Sequence, residues 1–102
     1  MWFCFTDGFL SVVADKNNED RLMARARRRQ DLLNVLGDTI EITETPKADY
    51  RWRAFVSRDH FKLIVSARID DIDYTNFKNS VNDTDLHDMY SDVWSIHRCY
   101  QQ

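Results

Sequence analysis

Glycine occurs twice and proline once in these 102 residues, so the chain encodes few tight turns and most of it is expected in regular elements. A phosphate-cradling loop, which needs bare backbone at several positions, is excluded on the same ground. Cysteine is also scarce. Cys4 and Cys99 lie at opposite ends without a Cys-x-x-Cys partner, so both are expected reduced and mostly buried. With His60, His87 and His97 they make no zinc spacing, and no cofactor is expected. Long apolar runs are missing too. No stretch approaches the length that spans a bilayer, Met1 to Ala14 lacks a basic start, and Asp7 interrupts its apolar residues, so neither an anchor nor a signal peptide is expected. The expectation is a cytoplasmic protein without membrane contact.

What is present suits one domain over residues 1–102. Hydrophobic residues make up 43% and aromatics 13%. A chain of this length buries roughly two-thirds of its unfolded surface without metal or disulfide staples. The formal net charge of −3 argues against a surface that is wholly an electrostatic trap for nucleic acid. The charge is unevenly placed, however. Arg21, Arg25, Arg27, Arg28 and Arg29 sit together near the front, and Asp70, Asp71, Asp73, Asp83, Asp85, Asp88 and Asp92 crowd the last third.

Trp2–Phe5 and Phe9–Val13 read as one extended apolar segment kinked at Asp7-Gly8. The next stretch has two readings. Residues 19–36 hold strong helix formers with Gly37 after them, which suits one long helix. Leu22, Ala24 and Ala26 alternate with Met23, Arg25 and Arg27, which suits a strand over 21–28 followed by a short helix from Asp31 to Leu36. The second reading is preferred because Asn17-Asn18 would close a hairpin ahead of the strand. Thr39–Thr43 alternates and is β-branched, a strand that Pro46 ends. Tyr50–Val56 is the clearest strand, with Tyr50, Trp52, Ala54 and Val56 on one face. Ser57 or Asp59 can cap a helix striped by Phe61, Ile64, Val65, Ile69 and Ile72. Tyr74, Phe77 and Val81 anchor a polar connection. A last helix starts near Thr84, with Leu86, Met89, Tyr90, Val93, Ile96 and Tyr100 on its apolar face.

From residue 22 the order is strand, helix, strand, strand, helix. That predicts an α+β fold: a four-stranded antiparallel, ferredoxin-like sheet with helices on one face and an additional C-terminal helix. The first and third of these strands would be neighbours, with the N-terminal segment at the far edge. Arg25, Arg27, Arg51 and Arg53 would then project together from the other face. Guanidinium forks hold carboxylates and phosphates bidentately, so this face is the first candidate site. It competes with an ordinary reading in which Glu41, Glu44 or the C-terminal aspartates neutralise it. Phe55 is the only aromatic expected among these arginines, which is little for stacking nucleic-acid bases.

Other constellations are weaker. Asp70-Asp71-x-Asp73 lacks the glycine and terminal glutamate of a calcium loop. No nucleophile elbow or oxyanion motif accompanies Cys4, Cys99 or the histidines, so a non-enzymatic role is expected, with an Asp/His metal-dependent hydrolase near 85–88 as a minor alternative. Trp94 and Trp2 are candidate interface anchors, against a core reading for each. The Trp2–Phe5 edge can pair across a two-fold axis in a homodimer.

The opening Trp2 to Thr6, Phe9-Leu10-Ser11-Val12-Val13-Ala14, Arg25-Ala26-Arg27-Arg28, Thr45-Pro46-x-Ala48-Asp49-Tyr50-Arg51, Ile72-Asp73-Tyr74-x-Asn76-Phe77-Lys78 and His87-Asp88-x-Tyr90-x-x-Val93-Trp94 together resemble a group of small proteins from bacterial chromosomes and mobile elements. The resemblance covers most of the chain. It implies a cytosolic bacterial or phage setting and assigns no activity and no catalytic residue. The function expected is a protein-binding module, an inhibitor or adaptor acting on a host complex, with nucleic-acid binding by the four arginines as the alternative.

Overall fold

Alternating apolar residues at the N-terminus form two strands, not one. In the computed structural model, which describes residues 1–102, β1 (Trp2–Phe5) turns through Thr6 and Asp7 into β2 (Gly8–Ala14), pairing Phe5 with Gly8 and Trp2 with Ser11. No residue but Gly37 has positive φ, so this hairpin lacks the left-handed turn that Asp-Gly signals in a sequence. The expected four strands are therefore five. β3 (Arg21–Ala26), β4 (Ile42–Glu44) and β5 (Trp52–Ser57) complete an antiparallel sheet ordered β1-β2-β3-β5-β4. The preferred reading of residues 21–36 holds: β3 is extended and α1 (Arg29–Leu36) follows it.

Two boundaries differ from the alternation. The strand expected over Thr39–Thr43 pairs only at 42–44, and Tyr50 and Arg51 lie ahead of β5 in a bend. Strand alternation stops there, so Tyr50 swings away from the Trp52, Ala54 and Val56 face and joins a second cluster.

The helices divide between the faces. α1 and α2 (Arg58–Asp70) cover one, where Leu32, Val35, Leu36 and Phe61 pack on Leu10, Val12, Ala24, Ala26, Ala54 and Val56. Ser57 caps α2 by accepting from the His60 N–H at 3.1 Å. Of the stripe expected on α2, only Phe61 is fully buried, and Ile69 and Ile72 are exposed. α3 (Thr84–Arg98), preceded by a 3-10 turn at Lys78–Ser80, lies on the other face. Its Leu86 and Tyr90 bury against Phe9, Tyr50 and Val81, and the Asp83 carboxylate caps it by accepting from the Leu86 N–H at 2.9 Å. The apolar face expected on α3 is packed over its first turns only. Ile96 and Tyr100 project into solvent. No helix is long and apolar enough to cross a membrane.

Candidate functional site

α3 covers only the Phe9 end of its face of the sheet. The remainder is open, and the register defines its rows. One row runs across all five strands as Trp2, Ser11, Arg25, Arg53 and Thr43. The next runs Val13, Met23, Phe55. Arg25 and Arg53 are direct cross-strand partners, so their Cα atoms are about 5 Å apart. Like charges so placed oppose one another by up to about 1 kcal/mol.

Arg25 has no carboxylate partner. Its Nη2 donates to the Ser11 hydroxyl at 2.7 Å, which buries Ser11 beneath it, and its guanidinium lies over the Tyr50 ring at 4.7 Å. Arg53 reaches the Asp49 carboxylate only at 3.5 Å and the Met23 sulfur at 3.5 Å. The Nε of both arginines is buried without a hydrogen-bond partner. An N–H left in that state costs about 1–3 kcal/mol. Arg27, just past β3, also lies over the Tyr50 ring, at 4.2 Å, and donates to the Asp49 carbonyl. Tyr50 is thus the ring on which two guanidinium groups rest, and these contacts neutralise neither charge.

Arg51 does not join this cluster. It sits in the bend before β5 and gives both Nε and Nη2 to Glu44 Oε1, at 3.0 and 2.7 Å. The four expected arginines are therefore three around Tyr50 and Asp49 and one neutralised at the β4 edge. Arg21 is likewise answered, by Asp15 at 2.7 Å, and stacks on Phe55 at 4.3 Å. An N–H from Asn17 and the Arg21 bond hold the Asp15 carboxyl below its usual range.

Two aromatics border the arginines. Phe55 is 44% exposed, as alternation requires, and Trp2 is 67% exposed, edge-on to Phe9 at 5.6 Å. A single extended segment leaves Trp2 off this face; the β1–β2 hairpin at Asp7-Gly8 brings it into the arginine row, across Ser11.

Trp94 lies elsewhere, half-exposed one turn beyond Tyr90 on α3, with Lys78 Nζ 4.8 Å and the Arg98 guanidinium 5.6 Å from its ring centre. It walls a cavity of about 500 Å³ with Cys4, Phe77, Tyr90, Val93 and His97. Both cysteines are exposed rather than buried, because Cys4 is on an edge strand and Cys99 lies past the packed turns of α3. The Cys4 thiol nonetheless faces that cavity wall, and desolvation pushes its pKa up, which disfavours a reactive thiolate.

No protein-family model, curated protein or solved structure matches the chain.

The polar partner of the half-buried His87 is its neighbour Asp88, at 3.2 Å. No three His, Cys, Asp or Glu side chains converge as metal ligands. The C-terminal aspartates are spread over α2, the loop and α3. One of them, Asp83, pairs with Arg28 at 3.2 Å.

Proposed function

We propose that this protein is a non-enzymatic binding module that takes an acidic segment of a partner protein on its open sheet face, with Arg25, Arg27 and Arg53 as the anion-holding residues. The observation that carries this reading is the Arg25–Arg53 pair: two cations set directly opposite one another, Arg25 with no carboxylate partner and Arg53 with one only at 3.5 Å. A carboxylate laid against the outer N–H groups of the two forks would accept from both and cancel the repulsion. Val13, Met23 and Phe55 supply apolar contact around the charged centre, the composition of an interface core with an arginine anchor. Arg51 and Trp94 contribute at most from the rim. A role as an inhibitor or adaptor in a bacterial or phage host rests on the sequence resemblance, and a ferredoxin-like relationship rests on the order β3-β5-β4.

A second reading, single-stranded nucleic acid on the same face, is favoured by one observation: Trp2 and Phe55 are exposed beside the arginines and offer stacking surfaces. The net charge of −3 and the exposed aspartates of α2 and α3 oppose a long polyanion.

Titration of acidic peptides and of single-stranded oligonucleotides, with wild type and an Arg25→Ala/Arg53→Ala double variant, separates these. Acidic-peptide binding that weakens in the double variant by roughly thirtyfold or more supports the proposal. Oligonucleotide binding that falls steeply with salt and quenches Trp2 transfers the face to nucleic acid. Equal binding of either ligand by both proteins removes the arginine face from consideration.

A further inference from the structure

The two edges of the sheet are protected differently. β4 is three residues long and carries Glu44 ion-paired to Arg51, and short charged edges resist strand pairing. β1 has no charged side chain from Met1 to Thr6. The Met1 amino group donates to the Val12 carbonyl at 2.7 Å, and the Val12 N–H donates to the Met1 carbonyl at 2.8 Å. Met1, Phe3 and Phe5 therefore direct their backbone polar groups toward β2. By alternation, the N–H and C=O of Trp2 and Cys4 point away from the sheet. Trp2 is 67% exposed on that free strand. Two residues along the same face, Cys4 borders the cavity of about 500 Å³ walled by Phe77, Val93, Trp94 and His97. Cys4 is the only strand residue in its wall, so the cavity lies between the edge strand and the α3 side of the molecule, next to the free edge.

We propose that β1 pairs antiparallel with β1 of a second copy of this chain, inserting Trp2 of each copy into the cavity beside Cys4 of the other. Antiparallel partners share a face, so a two-fold axis through Phe3 sets Trp2 opposite Cys4 in both directions. Those are the residues whose main-chain groups are free, and each pair exchanges both its N–H···O bonds. On the other face Phe3, already edge-on to Phe61 at 5.1 Å, meets its own counterpart. Knob and cavity adjoin one strand without charged side chains, so a single pairing fills both cavities, and Lys78 in the cavity wall meets the uncharged Trp2 ring. That reciprocity is what an isologous interface requires, and it selects a second copy over a foreign strand.

Sedimentation velocity at micromolar concentration and residue-resolved amide exchange test the proposal on the wild-type chain. The expected result is a dimer in which the Trp2 and Cys4 amides exchange slowly and lose protection on dilution. Trp2→Ala and Cys4→Lys should each weaken dimerisation by roughly thirtyfold or more, the effect of losing a hot-spot anchor. Circular dichroism checks their folding, and should either variant unfold, wild-type exchange alone decides. A monomeric wild type, a dimer whose Trp2 and Cys4 amides exchange at free-edge rates, or a dimer indifferent to Trp2→Ala in a folded variant overturns it.

Discussion

Asp31 is the residue on which the two cores meet. Its carboxylate is almost fully buried, accepts from the Phe9 N–H at 3.2 Å and from Arg28 at 2.9 Å, and shares Arg28 with Asp83. Desolvation raises its pKa despite these partners. A carboxyl whose pKa rises on folding stabilises the fold when protonated, and that contribution is lost as pH climbs through its folded pKa. Asp15 and Asp83 behave oppositely. Backbone N–H groups of Asn17 and Leu86 lower their pKa values, so their contribution is present at neutral pH and lost in acid. Asp31→Ala should cost about 2 kcal/mol in urea unfolding, by orphaning the Phe9 N–H and half of the Arg28 ion pairs. Asp31→Asn, which keeps the shape, should gain on wild type steadily as pH is raised from the acid range to neutrality. A constant gap between the two curves would contradict the assignment.

The glycines act at the scale of elements, and for different reasons. Gly37 ends α1 with φ 84° while its N–H bonds the Leu33 carbonyl at 2.9 Å, so a side chain there meets strain but no neighbour. Gly8 has ordinary φ, and its need is space. A Cβ there would lie 3.1 Å from both Cα and O of Asp31, because β2 starts where α1 crosses it. That backbone cannot yield as a side-chain tip would. Gly8→Ala should destabilise the fold by about 1–3 kcal/mol, read as a lower urea midpoint with unchanged slope. The same contact explains the hairpin: β1 and β2 are clamped between α1 and α3, with the Tyr90 hydroxyl bonding the Phe5 and Gly8 carbonyls at 2.9 and 3.0 Å.

For the whole molecule this clamp matters because the second core is small and α3 is attached through little else. Tyr90→Phe removes both hydroxyl bonds and leaves two buried carbonyls short of a donor, a loss of about 1–2 kcal/mol. The effect should be uneven. Amides of α3 should exchange faster while those of β3 and β5, inside the larger core, barely change. Uniform acceleration would mean that the two clusters unfold as one unit. A β1-paired dimer would also carry both open faces on the same side of one continuous sheet, since a two-fold axis normal to the sheet preserves its faces.

Sequence alone determined the α+β class, and it favoured an extended 21–26 beside β5, with Arg25 and Arg53 on one face, over a single long helix. Those follow from period-two alternation and element order, which are local properties of the chain. Tertiary structure decided the rest. It turned the N-terminal segment into a hairpin through a turn with no left-handed residue, and so put Trp2 beside the arginines. It rotated Tyr50 out of the strand face to become the plate beneath Arg25 and Arg27, and it assigned Arg51 to Glu44. Which cations find a carboxylate depends on side chains far apart along the chain arriving at one place, and no local pattern encodes that.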